Sequence, residues 1–296
     1  MQSRRIFRFF MLLTAFFFVM HGAAYPEEID MGEMTPQEEV DHYQAQGYMF
    51  ILDNRLDKAA AAFERAGSAA VKNSIWDGCI DAALGLIMLE QYPKARAVLR
   101  ASGPVIIDSG DVRAHIAMAY AILTFAPEER RNLRADRYLE EAYALSRRLQ
   151  NAYAFIETSK GFLENIDRGK SYALLFEAKM IAEKRRNAEV MELLAHQFIL
   201  HGNTDVSDTC RRMAQRYQEK PMPFDNEGSI SQNTIAEFKE LQLLDTQQRE
   251  WINEFAYFYQ RPIDLSLGYS PHIRRVWCTN RLVLYSEVNK RYRRQR

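Results

Sequence analysis

The chain has 296 residues, which is long enough for a complete hydrophobic core or for one extended stack of repeats. Its 39 basic and 39 acidic residues give a formal net charge of zero, so charge alone excludes no class of partner. The 3 cysteines are an odd number, which excludes a framework in which every cysteine forms an intramolecular disulfide.

Residues 1–24 have the pattern of an export signal. Three arginines precede an uncharged apolar run over residues 9–20, and Gly22-Ala23-Ala24 supplies small residues for a cleavage site before Tyr25. We therefore expect an exported protein, periplasmic or secreted, that is cleaved after Ala24. An uncleaved N-terminal anchor and a twin-arginine export route are the alternatives.

The first helix is predicted from Thr35-Pro36-Gln37-Glu38, a capping box with proline at the first helical position. It runs to about Leu52, turns at residues 53–55, and is followed by a second helix from Leu56 to Ala70. A small–large–small signature lies on this second helix, and 36 positions after Ala59 it returns at Ala95. A period of this size indicates stacked helical hairpins in an all-α fold. The signature positions are Gly47, Ala59, Phe63, Ala66, Ala83, Ala95, Leu99, Leu139, Ala142, Leu175 and Ala178.

Four further helix pairs are predicted in the same way. The second ends at Gly103-Pro104, which has the pattern of a helix stop. The interval from Ala95 to Ala135 is 40 residues, so we place the extra residues of the third pair in a longer turn over residues 124–132. The second to fifth pairs cover about residues 75–103, 112–149, 153–184 and 188–218.

These pairs resemble the tetratricopeptide family of antiparallel helix repeats. Gly47 stands 12 positions before Ala59, as in that family's pattern, and the segment LEQYPKA is similar to its junction between helices. The resemblance covers roughly residues 36–218, within a repeat region that we place at residues 25–218. It implies an α-solenoid that binds other proteins.

Residues 219–233 contain two prolines and polar residues and are predicted to be a linker. Residues 234–296 are predicted to form an aromatic-rich, basic helical region. Trp251, Phe255 and Phe258 fall on one helix face, which we expect to cap the last repeat; an aromatic binding surface is the alternative.

The charge is polarised along the chain. Residues 25–54 hold 8 acids and no lysine or arginine, whereas residues 271–296 hold 8 bases and one acid. Self-association through these ends is one expectation. We interpret the basic end either as a solvated helix terminus or as a contact with anionic lipid or an acidic partner. Export argues against nucleic acid as the partner. The candidate contact residues there are Arg291, Arg293, Arg294 and Arg296.

The sequence shows no motif of an enzyme: no HExxH, P-loop, GxSxG or CxxC. We expect no catalytic activity, no cofactor and no metal. Cys79 is expected to be a buried thiol, and pairing of Cys210 with Cys278 is left open.

One group of tetratricopeptide proteins grips C-terminal carboxylates with lysine and asparagine. The matching positions here are Gln44, Tyr48, Ile80 and Leu84, which cannot form that clamp. The resemblance therefore implies a helix or extended segment as the ligand, and inter-repeat core is the alternative role for these positions. By the family's register, the candidate contacts are Tyr43, Gln44, Tyr48, Ile51, Asp77, Ile80, Leu84, Tyr153, Ile156 and Lys160.

These observations predict an exported, non-catalytic scaffold or adaptor that binds protein in a cell-envelope assembly. The alternative is a soluble ligand-binding component associated with a periplasmic transporter. A closed apolar cavity beside the C-terminal region would favour the second function, and an open groove would favour the first.

Overall fold

A computed structural model describes residues 34–125, 132–165, 167–219, 240–241, 243–250, 278 and 281. Over these residues the chain is helical and contains no strand. Its contacts divide it into two compact units. Unit 1 comprises Met1–Ser109 together with Leu265–Arg296, and unit 2 comprises Gly110–Asp264.

Unit 1 contains two stacked helix pairs: α1 (Pro36–Leu52), α2 (Leu56–Lys72), α3 (Trp76–Met88) and α4 (Tyr92–Ser109). Each helix packs against the next one in the chain. In addition, α1 contacts α3 and α2 contacts α4, which is the pattern of stacked hairpins in an α-solenoid.

Unit 2 repeats this arrangement over three pairs. Consecutive helices pack together, and the first helices of successive pairs also touch, α5 with α7 and α7 with α9. The described residues 243–250 are helical as well. The helices are α5 (Val112–Leu123), α6 (Ala135–Leu149), α7 (Ala152–Glu164), α8 (Arg168–Arg185), α9 (Ala188–Leu200) and α10 (Thr204–Glu219).

Local sequence explains where the helices begin and turn. The Thr35 hydroxyl accepts a hydrogen bond from the Glu38 backbone N–H and the Glu38 carboxylate accepts one from Thr35 N–H, so the predicted capping box is confirmed. Short turns between helices use a left-handed residue, such as Asn54 (φ 58°), Glu90 (φ 59°) or Gly202 (φ 77°). The helices on either side of the predicted longer turn end at Leu123 and begin at Ala135, and residues 126–131 between them lie outside the described residues.

The packing of the first repeats is centred on Phe63 of α2, which is fully buried. Its ring meets the edge of Tyr48 with centroids 5.0 Å apart. Gly47 of α1 and Gly85 of α3 both lie against this ring, and a Cβ added at either glycine would be 2.6 Å from it. Two glycines therefore let two helices approach one aromatic wedge. All the signature residues are buried, from Gly47 to Ala178.

One helix end differs from the prediction. Gly103-Pro104 does not end α4, which continues to Ser109 with the proline inside it. Val105 and Ile106 beyond the proline are buried, so their packing outweighs a penalty of about 3 kcal/mol for an interior proline.

The predicted C-terminal region, residues 234–296, is divided between the units: residues up to Asp264 belong to unit 2 and the rest to unit 1. The aromatic stripe at Trp251, Phe255 and Phe258 lies outside the described residues, as do the export signal and most of the linker.

All three cysteines are buried thiols, so Cys210 and Cys278 do not form the disulfide that the sequence left open.

Candidate functional site

Most of the predicted contacts in unit 1 are interior residues. Gln44, Tyr48, Ile80 and Leu84 are at most 1% exposed, and Ile51 is also buried. The Gln44 amide donates a 2.9 Å hydrogen bond to the carbonyl oxygen of Gly78, which ties α1 to α3. The expectation that these side chains face a partner is corrected here: helix packing uses them, which is the core role that the sequence left as the alternative.

Tyr43 and Asp77 remain accessible. Tyr43 lines an open depression of about 490 Å³ between α1 and α2. Most of the other lining residues are polar, and both acids and bases are among them. The charged residues that line it are Glu39, Glu64, Arg65 and Lys72.

The wall of this depression is connected to the second helix pair. Lys94 of α4 donates to Glu64 at 3.0 Å, and each of the two side chains is 42% exposed. An exposed pair of this kind contributes about 0–1 kcal/mol to stability. Its groups therefore remain available for exchange with charges on a partner. We name this surface, lined by Glu39, Tyr43, Glu64, Arg65 and Lys72, the α1–α2 depression.

The predicted contacts of unit 2 divide in the same way. Tyr153 and Ile156 are buried, whereas Lys160 is half-buried. Lys160 donates to Glu157 at 2.5 Å. The Tyr120 hydroxyl donates to the backbone carbonyl of Glu157 at 2.7 Å, which links α5 to α7. Lys160 is therefore held by its own helix, with its charge compensated.

Tyr153 belongs to a polar network that includes residues beyond the repeats. Burial, with a smaller contribution from Glu189, raises the pKa of Tyr153 to about 12. Arg185 of α8, 6% exposed at its side chain, donates to Asp245 at 2.9 Å and to Gln248 at 3.1 Å. Burial raises the pKa of Asp245, and the guanidinium of Arg185 opposes that shift. The helical stretch 243–250 is thus fixed to unit 2 by a buried cation.

In unit 1, a residue from the C-terminal part of the chain also forms a buried ion pair with a repeat helix. Arg281 lies 3.2 Å from Asp81 of α3, and the two side chains are 4% and 5% exposed. Cys278 donates from Sγ to the Met88 sulfur at 3.7 Å. Sequence reasoning missed this contact because Arg281 has no local signal. The sequence did mark the residue that Arg281 contacts, because Asp81 is the single acid inside the apolar run CIDAALGLIML.

Acidic groups surround this contact. Burial raises the pKa of Asp41 to about 6, and repulsion from Asp77, Asp81 and Glu38 adds to that increase, while a hydrogen bond from Gln37 opposes it. The carboxylates of α1 and α3 therefore produce a negative field at the position where Arg281 enters.

The arrangement closest to a catalytic pair is Ser171 and His201. The Ser171 hydroxyl is 2.9 Å from His201 Nε2 and 2.9 Å from the Ser159 hydroxyl. Ser171 is fully buried, and burial lowers the pKa of His201. Substrate cannot reach a fully buried hydroxyl, so we interpret this chain of polar groups as a tie between α7, α8 and α9.

Within the described ranges, no group of three or more histidine, cysteine or acidic side chains is arranged to hold a metal ion. None of the described helices combines the length and apolar character needed to cross a membrane. The predicted contacts Arg291, Arg293, Arg294 and Arg296 lie outside the described residues.

Comparison of the chain with models of known protein families, with curated proteins and with solved structures gives no match. The contacts between the described helices define the class of the protein as an all-helical fold of stacked helix pairs.

Proposed function

We propose that this protein is an exported, tetratricopeptide-like scaffold or adaptor that binds another protein in a cell-envelope assembly. The observation that carries the proposal is the α1–α2 depression, which places the predicted contact Tyr43 in an open surface between two repeat helices. Tyrosine and arginine are enriched at protein interfaces, and the rim of such an interface is polar.

Two features support kinship with the tetratricopeptide family. Gly47 precedes Ala59 by 12 positions, and the buried Phe63 packs directly on Gly47. The family's pattern uses the same combination of a glycine on the first helix and a large residue on the second.

Export to the periplasm or out of the cell is part of the proposal, with cleavage after Ala24. It is supported by the arginines, apolar run and small residues of positions 1–24. The protein would then meet its partner in the envelope and act there without catalysis. The α1–α2 depression is open and has charged side chains of both signs in its lining, which favours a scaffold over a component that encloses a small ligand.

Site-specific photocrosslinking in living cells tests the proposal. A photoreactive amino acid replaces Tyr43 in the full chain, and the matched control places it at Arg211, an exposed residue of α10. We expect one envelope protein to be captured from position 43 and not from position 211. Repeated absence of a specific adduct at position 43, or the same proteins at both positions, would contradict the proposal.

A further inference from the structure

One face of α3 is contacted by two residues from the far end of the sequence. Asp77, Asp81, Leu84 and Met88 are spaced by four, three and four residues, so they share a helix face. Asp77 is exposed, whereas the other three are at most 3% exposed. The described residues that reach this face from outside the repeats are Cys278 and Arg281. We name the helix face formed by Asp77, Asp81, Leu84 and Met88 the α3 face.

The two contacts define a direction. Asp81 and Met88 are seven residues apart, about 10.5 Å along a helix. Arg281 meets Asp81 and Cys278 meets Met88, so the order of contacts is reversed between the two segments. Cys278 and Arg281 are both helical and one turn apart. Along the chain, the order of Cys278 and Arg281 is thus opposite to the order of their contacts Asp81 and Met88 on α3, and the arginine stands three positions after the small cysteine.

The buried ion pair between Arg281 and Asp81 decides which replacement the α3 face could accept. A buried ion pair gives little net stability, because desolvation of both charges offsets their attraction. Removing the cation alone is costly, because Asp81 then loses a buried partner while the carboxyl groups of Asp41 and Asp77 lie nearby. A replacement helix that brings its own arginine restores the pair, whereas a helix without one does not. The α3 face therefore selects for a guanidinium.

We propose that the α3 face is a helix-binding site that the chain fills with its own Cys278 and Arg281. We further propose that the protein partner presents the same chemistry, a helix with an arginine three positions after a small apolar residue, and displaces them. This inference rests on the proposed scaffold function. It adds the class of protein partner and identifies Cys278 and Arg281 as the internal competitor of that partner.

Peptide exchange on the full-length protein tests this inference. The probe is a fluorescein-labelled peptide of residues 271–291 of this chain, kept reduced, and its binding is followed by fluorescence anisotropy. In the Arg281→Ala protein the internal competitor lacks its guanidinium, so we expect the peptide to bind at least tenfold more tightly than to the wild-type protein. Adding Asp81→Asn to Arg281→Ala should abolish this gain. A peptide that carries alanine in place of Arg281 should bind neither protein.

The matched control is Arg211→Ala, which removes an exposed arginine paired with Asp208 and should bind the peptide like the wild type. Circular dichroism checks that each variant is folded. If Arg281→Ala does not fold, Arg281→Lys keeps the positive charge but loses the planar guanidinium, and we expect it to bind the peptide with an affinity above that of the wild type.

Equal peptide affinity for the wild type and the Arg281 variant, or equal binding of the alanine peptide, would overturn the inference. Such a result would leave photocrosslinking at Tyr43 unaffected, because the α1–α2 depression is a different surface. Conversely, peptide exchange without any crosslinked partner would count against the scaffold function while leaving the internally filled α3 face in place.

Discussion

Phe63→Ala is the substitution that tests the repeat packing most sharply. The phenyl ring is fully buried, packs edge-on against Tyr48 and lies between Gly47 and Gly85. Truncating a buried phenylalanine to alanine costs about 3–5 kcal/mol, and the cost rises when the cavity cannot collapse. The two glycines have no side chains that could move into the space, so we expect a loss of about 4–5 kcal/mol in the free energy of unfolding.

The assay is urea unfolding of the full chain, followed by circular dichroism at 222 nm. The two units can unfold separately, so each transition is fitted on its own. Phe176→Ala is the matched control: it makes the same truncation on α8 at a side chain that is 37% exposed. We expect the control to lose about 1 kcal/mol. A loss below about 1 kcal/mol for Phe63→Ala would refute the wedge and the helix register derived from it.

Two further predictions concern the same unit. Gly85→Ala should destabilise by about 1–3 kcal/mol, although helix propensity alone favours alanine by about 1 kcal/mol, because the new Cβ would lie 2.6 Å from the Phe63 ring. Asp41→Asn should raise the free energy of unfolding at pH 7 by about 1 kcal/mol, after allowance for the solvent that partly screens this carboxyl. Because burial raises the pKa of Asp41 from 3.8 to about 6, the folded state binds the proton more tightly. Stability in the wild type therefore falls as pH rises between these two values, and the variant should lose that dependence.

Both are measured by urea unfolding, with the Asp41 series repeated between pH 4 and pH 7. Gly169→Ala is the control for the glycine, since the nearest atom to its added Cβ is Asp167 Oδ1 at 3.7 Å, and it should be neutral or stabilising. A stabilising Gly85→Ala would show that α3 is not held against Phe63. An unchanged pH dependence in Asp41→Asn would show that this carboxyl has an ordinary pKa.

Local sequence was sufficient where a local interaction decides the structure. The capping box at Thr35 and the turn around Asn54 depend on residues within four positions of each other. The spacing of Gly47 and Phe63 gave the pairing of α1 and α2 for the same reason: the period of the helix and a short turn bring them together.

Pro104 and Gly85 show why other features could not be predicted. Pro104 has the signature of a helix stop, but burial of Val105 and Ile106 keeps the helix going. Gly85 follows Phe63 by 22 positions, and Gly161 follows Leu139 by the same interval, so a repeated glycine was present in the sequence. Only the packing shows its role, since an added Cβ at Gly161 would be 2.5 Å from Leu139.

The candidate surfaces were the least predictable part. By the resemblance to the tetratricopeptide family, Gln44 and Tyr48 occupy ligand-binding positions, yet Gln44 joins α1 to α3 and Tyr48 packs on Phe63 of α2. Arg281 reaches Asp81 across 200 positions of sequence, and no periodic pattern links two such residues. Contacts of this kind depend on the path of the whole chain rather than on local spacing.

We propose that the protein binds another protein through the α1–α2 depression. Isothermal titration of the purified full chain with the protein crosslinked at position 43 measures this directly, at two temperatures. We predict saturable binding with a negative heat-capacity change, weakened at least tenfold by Tyr43→Ala and unchanged by Arg211→Ala. Absence of saturable binding, or equal affinity of the Tyr43→Ala protein and the wild type, would contradict the claim.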